Sequence, residues 1–453
     1  MRRRRGISGG TVAMLLLTVL VLTATFFVMY TIRQDEGDLS MDAEQLLASV
    51  NELIALSQHH LTDEQPPEAT VIAAVQVTPV PVLTSTEAPT RSASETVATQ
   101  NAPSPTVTPN ASRALTLTIG GAITLESSII DGAFNKTEQH YDFHEIFSGI
   151  SNAVHADLNL AVLESVFTTD ESKENDMVAP AGSVEALTAG GFDGVVLCAE
   201  NALAGGRRAV QETLSTLQAR GLLASGLRMP DDAERMTMLQ INGIQLAILS
   251  YTESLSAESK RGIPDPLQQA AMLNLFQKEQ AITDITQARQ RGANAVIVFL
   301  HWGTKAATEP SQAQQLIAQA LCDAGADVII GTKSRAVQNV EWIRSTDNTR
   351  NTLVAWSLGT LLCEDRDTRE VVSGALLHLR LAYDPVQNDV IISHVEYSPT
   401  YAWRQEEKGV NKYRVLLSAQ PAPEGMIQRQ REIMGRSLAL IQTTFAGGAA
   451  IQR

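Results

Sequence analysis

Two stretches decide how this chain folds: Val296-Ile297-Val298-Phe299-Leu300-His301-Trp302-Gly303 and Val328-Ile329-Ile330-Gly331-Thr332-Lys333-Ser334-Arg335. Each is a short β-branched run that stops abruptly in small or polar residues. That is the pattern of a buried strand whose C-terminal end opens into a site. The two ends bring a lone histidine beside threonine, lysine and arginine. A hydrolytic metal centre built at such loop ends requires several His and carboxylate ligands, and here most of them are missing.

Working outward, each of these strands is preceded by a helical pattern, Leu273 to Arg291 before the first and Ser311 to Ala324 before the second. Upstream, strand and helix patterns alternate. Leu115 to Gly121, Leu158 to Leu163 and Gly194 to Leu197 read as strands, and Ser183 to Ala189 and Arg208 to Arg220 as helices. Met236 to Ile241 and Ile244 to Tyr251 flank Asn242-Gly243, the pair that fits a type I′ hairpin turn. Late strands follow at Leu353 to Trp356, Ala375 to Tyr383 and Val390 to Tyr397, with a last helix from Gly425 to Thr443. Long alternation of this kind predicts an α/β domain with helices covering buried strands. The expected domain runs over residues 113–417, with a helical tail over 418–453.

The N-terminal quarter differs in kind. Arg2 to Arg5 precede a run from Thr11 to Ile32 that holds no charged residue. Such a run is long enough to span a bilayer, and the arginine cluster places the stub 1–10 in the cytoplasm and the rest outside. A cleaved signal peptide competes with this reading, but the run is long and Phe26-Phe27-Val28-Met29-Tyr30 offers no small-x-small cleavage site. The expectation is a single-pass membrane anchor over 11–32, an amphipathic juxtamembrane helix within 33–64, and a Pro/Thr/Ser-rich extended linker over 65–112.

The net charge of −15 over 453 residues excludes a nucleic-acid-binding surface, which needs clustered Lys and Arg. Three cysteines, Cys198, Cys322 and Cys363, show no CxxC spacing, so neither a disulfide framework nor a zinc knuckle is indicated. No P-loop, dinucleotide fingerprint or GxSxG elbow occurs.

Several segments, in order, resemble the CapA family of capsule and poly-γ-glutamate synthesis proteins. They are Tyr141-Asp-Phe-His-Glu-Ile-Phe147, Ala156-Asp-Leu-Asn-Leu-Ala-Val-Leu-Glu164, Glu185-Ala-Leu-Thr-Ala-Gly-Gly-Phe-Asp193, Leu300-His-Trp-Gly303, Glu309-Pro-Ser311, Asp323-Ala-Gly-Ala-Asp-Val-Ile-Ile-Gly331 and Trp356-Ser-Leu-Gly359. The resemblance implies a calcineurin-like metallophosphatase-type layered α/β sandwich. It also implies metal ligands that this sequence departs from. The family's Gly-Asp after the first strand stands here as Gly121-Ala122. Its Asn-Asn-His with a following Asp is Ala199, Glu200, Asn201 and Ala204, and its Gly-His-His-Pro-His is Gly331, Thr332, Lys333, Ser334 and Arg335. The Asn of its Ser-Leu-Gly-Asn is Thr360.

Glu164 and His301 remain as catalytic or ligand remnants, and two such groups do not hold a dinuclear centre. The expectation is therefore a domain without cofactor. The alternative is a divergent phosphoesterase- or amidase-like hydrolase that keeps a divalent metal such as Mn or Zn, with Glu200 and Asn201 assisting. Lys333 and Arg335 admit two readings: direct binding of an anionic polymer group at the cleft, or a solvated loop; Glu164, for its part, is a loop-end carboxylate that could pair with Lys333, Arg335 or Lys305. His301 is equally readable as a structural histidine at a strand end. Expected partners are the membrane, through the N-terminal helix, and an anionic surface polymer or envelope-assembly proteins.

Overall fold

Alternation along the first strand sets the layers. Leu115, Leu117 and Ile119 are buried in one apolar cluster, while Ile123 and Leu125, beyond a register shift, join another. The computed structural model describes residues 113–170, 177–366, 368–385 and 389–446, all within one unit, Pro103–Arg453. The stub, the Thr11–Ile32 anchor, the juxtamembrane helix, the whole linker and residues 447–453 of the expected tail lie outside the described residues. Among the described residues no helix is long and apolar enough to cross a membrane.

In chain order the strands are β1 (Ala114–Ile123), β2 (Phe134–Asn135), β3 (His140–Tyr141), β4 (Leu158–Leu163), β5 (Val166–Thr168), β6 (Val178–Pro180), β7 (Gly194–Val196), β8 (Leu223–Ser225) and β9 (Thr237–Ile241). There follow β10 (Ile244–Thr252), β11 (Ala295–His301), β12 (Val328–Thr332), β13 (Val340–Arg344), β14 (Asn351–Ala355), β15 (Thr360–Leu362), β16 (Ser373–Asp384), β17 (Asp389–Glu407) and β18 (Val410–Leu417). One sheet has the order β18-β17-β16-β1-β4-β7-β8 with β15 beside β1; a second has the order β13-β14-β12-β11-β10-β9.

The sheets pack face to face. Leu117, Leu160 and Val162 of the first share a core with Ile248, Ile297, Phe299 and Ile330 of the second. The other face of the second sheet carries Val296, Val298 and Leu300, which pack on Ile285 and Ala288 of the helix Lys278–Gln290 and on Ala318 and Leu321 of the helix Gln312–Ala324. Helices Val184–Ala189 and Gly206–Ala219 cover the first sheet in the same way. The result is a helix, sheet, sheet, helix sandwich, which agrees with the layered α/β expectation.

Local expectations hold where turn and cap chemistry is explicit. Asn242 and Gly243 have φ of 50° and 77°, the paired positive values of a type I′ turn. Ser311 caps the helix Gln312–Ala324 through a capping box with Gln314. Elsewhere the boundaries move. The helix expected from Leu273 begins at Lys278, because Leu273 is extended and Phe276 donates its N–H to the Thr252 carbonyl at 2.8 Å, prolonging the sheet edge. The strand expected over Val390–Tyr397 continues to Glu407, since β18, which periodicity did not indicate, pairs with its second half. The last helix, Gln428–Ala446, packs back on β16 and β17. Ser437 Oγ lies 2.7 Å from Ser373 Oγ, and Phe445 meets Tyr397 edge to face at 4.8 Å.

Candidate functional site

Both halves of the sandwich deliver the C-terminal ends of parallel strands to one edge, where ligand sites of α/β sheets form. β1 pairs in parallel with β4 and β4 with β7; β10, β11 and β12 are likewise parallel neighbours. Glu126 lies just past β1, Glu164 just past β4, Glu200 past β7, His301 at the last position of β11, and Lys333 and Arg335 just past β12.

Arg335 is the centre of this edge. Its Nη2 lies 3.4 Å from Glu164 Oε2 and its Nη1 lies 3.5 Å from Glu126 Oε1. Thr124 Oγ1 donates to the same Glu164 oxygen at 3.2 Å, and Glu126 Oε2 accepts the Glu364 N–H at 2.6 Å. Side-chain exposures of 12% for Arg335, 9% for Glu126 and 4% for Glu164 make this a buried arrangement. A buried ion needs such partners, because desolvation exceeds what a lone charge recovers. Burial opposes the guanidinium charge, but Glu164 and then Glu126 more than offset it and hold Arg335 protonated. Burial pushes the Glu126 carboxyl above the usual carboxylate range, against the Glu364 N–H and Arg335, which pull it down.

Lys333 turns to the other carboxylate, with Nζ 3.0 Å from Glu200 Oε2 and 3.3 Å from Ser254 Oγ. Lys305 is paired with Asp365 at 3.2 Å. Of the three cations that sequence allows for Glu164, the fold selects Arg335. Asn201 lies beside Glu200 in the turn after β7 and gives its carbonyl to the Ala204 N–H at 2.9 Å.

His301 is 2% exposed, and neither ring nitrogen has a hydrogen-bond partner among the described residues. Burial, with Lys333 and Arg335 adding to it and Glu200 opposing, lowers its pKa to about 3. The imidazole is therefore neutral. Its Nδ1 faces Glu164 Oε1 at 3.9 Å, too long for a hydrogen bond, and without a positive charge it makes no ion pair. Glu164 Oε1 and the neighbouring Thr332 Oγ1 are likewise buried and without partners.

The metallophosphatase resemblance implies divalent metal, and the donor set does not fit it. The single imidazole faces a carboxylate whose other oxygen is held by a guanidinium. Among the described residues no three His, Cys, Asp or Glu side chains converge on one point. A catalytic zinc takes three protein ligands, and a fixed cation at the carboxylate repels a second.

The remaining candidates are structural. Cys198, Cys322 and Cys363 are buried free thiols. Burial first, then Glu164, pushes Cys198 far up, and burial raises Cys363 to about 11, so none is a thiolate nucleophile. Ser165 Oγ accepts the Leu125 N–H at 2.8 Å, and Ser334 Oγ donates to the Ala336 carbonyl at 2.7 Å. Glu126 is the participant that sequence reasoning missed. The resemblance directs attention to position 122, where alanine stands, whereas the carboxylate that returns to the edge lies four residues later.

Residues 116–365, more than half of the chain, match the model of a family described as bacterial capsule synthesis protein PGA_cap. The chain is 23% identical over 273 residues to the capsule biosynthesis protein CapA of Bacillus anthracis, covering 59% of this chain and 64% of that protein. It is 26% identical over 168 residues to the PGA biosynthesis protein CapA of Bacillus subtilis, covering 36% of this chain and 40% of that one. The matches thus span less than two thirds of the length of these relatives. Among solved structures it is similar to a novel phosphatase from Mycoplasma pneumoniae, at 12% identity, 64% of this chain, 94% of that one and a TM-score of 0.35. It is also similar to the calcineurin-like phosphoesterase YfkN from Bacillus subtilis, at 10% identity, 74% of this chain, 98% of that one and a TM-score of 0.35. Overlaps this low carry no weight for function.

Proposed function

We propose that this chain, which belongs to the bacterial capsule synthesis protein PGA_cap family, acts in surface-polymer assembly as a non-catalytic binding or scaffolding component, anchored in the cell membrane with its folded domain outside. The observation that carries the reading is Arg335, whose guanidinium is held by Glu164 and Glu126 at the strand ends where hydrolytic chemistry would need a metal. A guanidinium already held by two carboxylates does not bind a water and lower its pKa as a catalytic metal does. The relatives named for capsule and PGA biosynthesis support the polymer context. Lys333 and Arg335 are the cations that an anionic group of the polymer would meet, with Glu200 and Asn201 at the same mouth; an incoming carboxylate or phosphate would compete with Glu200 for Lys333.

The test is complementation. In a host whose surface polymer depends on this protein, a chain carrying His301→Ala, present at normal level by immunoblot, is expected to restore the polymer. Loss of polymer from a folded variant would refute a non-catalytic role.

A divergent metal-dependent phosphoesterase- or amidase-like hydrolase is the second reading. The unpartnered ring nitrogens of His301 and the free Glu164 Oε1 favour it, since these are the atoms a metal would take. The guanidinium on the opposite carboxylate oxygen weighs against it. Turnover of a polymer fragment that vanishes on chelation would establish this second reading.

A further inference from the structure

Three features of the edge call for a common cause. His301 Nδ1 and Glu164 Oε1 are buried polar atoms 3.9 Å apart, and neither has a hydrogen-bond partner among the described residues. Unsatisfied buried groups of this kind are rare, and each calls for a reason. The loop after β12 places two non-glycine residues, Lys333 and Arg335, in the left-handed region, with φ of 90° and 58°. Such backbone persists only where surrounding contacts over-determine it. Here the Thr360 hydroxyl donates to the Arg335 carbonyl at 3.1 Å, and the Ala306 N–H donates to the Ser334 carbonyl at 2.7 Å. Third, two carboxylates from different strand ends, Glu126 and Glu164, share one cation.

We propose that Arg335 is a tethered cation standing in the position of a metal ion, and that removing its guanidinium uncovers a divalent-cation site made by Glu126, Glu164 and His301. This rests on the non-catalytic reading and deepens it by stating what keeps metal out. The guanidinium supplies one positive charge and a fork of donors to two acidic groups that would otherwise be buried and uncompensated. Among the described residues no three His, Cys, Asp or Glu side chains converge while it is in place. Without it, the two carboxylates lose their shared cation, and the His301 Nδ1 stands 3.9 Å from the free oxygen of one of them. Carboxylate with imidazole is a donor set that suits manganese or zinc, with water completing the shell. Lys333 stays occupied by Glu200 at 3.0 Å, which limits its repulsion of an entering ion.

The experiment uses the full-length chain in mild detergent as wild type, Arg335→Ala and Arg335→Ala with His301→Ala. Thermal unfolding is followed with and without excess manganese or zinc, and bound metal is measured by mass spectrometry after dialysis. The expected result is no metal effect on the wild type, stoichiometric metal in Arg335→Ala, and a rise in its Tm of roughly 5 °C or more, the scale set by ligand at a hundredfold excess over Kd. That rise should vanish in the double variant. A folded Arg335→Ala that takes no ion, beside a metal-free wild type, overturns the tethered-cation proposal and leaves the non-catalytic reading standing. Stoichiometric metal in the wild type overturns that reading itself. Should Arg335→Ala fold only when metal is supplied, the proposal is supported; should it stay unfolded with metal while Arg335→Gln folds and binds none, the proposal fails.

Discussion

Arg335 and Glu164 come from different sheets of the sandwich, one past β12 and the other past β4, and meet with Nη2 3.4 Å from Oε2. The contact therefore ties the two layers together at the strand ends, beside the Lys333–Glu200 pair and, elsewhere, the Thr237–Ser225 hydroxyl contact. Breaking a buried pair by deleting one partner leaves an uncompensated charge and costs about 3–5 kcal/mol. Arg335→Ala is expected to lose that much in denaturant unfolding, in chelator. Arg335→Ala with Glu164→Gln should recover part of it, giving a coupling of about 1 kcal/mol or more between the two sites. Additive losses would show that the pair is not an energetic unit.

His378 contributes to the pH dependence of stability, beside the buried His301. Its Nδ1 lies 3.1 Å from Thr118 Oγ1 and its Nε2 lies 2.9 Å from Ser398 Oγ, and burial, aided by His155 and opposed by Glu396, lowers its pKa below the usual imidazole range. A depressed base means that the unfolded chain binds the proton first. Stability from this group is present above the ordinary imidazole pKa and is lost as pH falls below it, by at most about 1.4 kcal/mol per pH unit. The urea midpoint should fall less between neutral and weakly acidic pH for His378→Gln than for the wild type. Equal falls would remove His378 from the account.

Gly331 is fixed by close approach. A Cβ there would strike the Trp356 carbonyl and Trp302 Nε1, and the two indoles are stacked at 5.6 Å with a 19° interplanar angle. Backbone and two large buried rings do not yield, so Gly331→Ala is expected to cost about 3 kcal/mol, the upper end of overpacking effects, and to disturb the adjoining Thr332 to Arg335 loop. A loss below about 0.5 kcal/mol, within the range of neutral surface substitutions, would contradict this.

For the proposed anchoring, the full chain is expected in the membrane fraction, resistant to alkaline carbonate, and a chain lacking residues 1–32 in the soluble one. External protease should reach the folded domain in intact spheroplasts. Protection of the domain would reverse the topology.

The strands that open onto the site were legible because their β-branched runs are unbroken and end abruptly: β11 terminates at His301 and β12 at Thr332. The Asn242-Gly243 turn and the Ser311 cap were equally plain, each being local chemistry. What stayed hidden was non-local. Nothing near Glu126 in sequence reveals that it returns to Arg335, 209 residues on. The choice of Arg335 for Glu164 and of Lys333 for Glu200 depends on two positive-φ residues in one loop, which residue types alone did not signal. β18 was missed because Val410 to Leu417 mixes charged and apolar residues on an edge strand.

At the meeting point of the strand ends stands the Arg335 guanidinium, where metal-dependent chemistry would need an ion. Metal analysis of the full-length chain purified without chelator, followed by calorimetric titration with manganese and zinc, tests this assignment most directly. The account predicts no stoichiometric metal and no binding heat. A stoichiometric ion that disappears in His301→Ala would contradict it and transfer the site to metal-dependent chemistry.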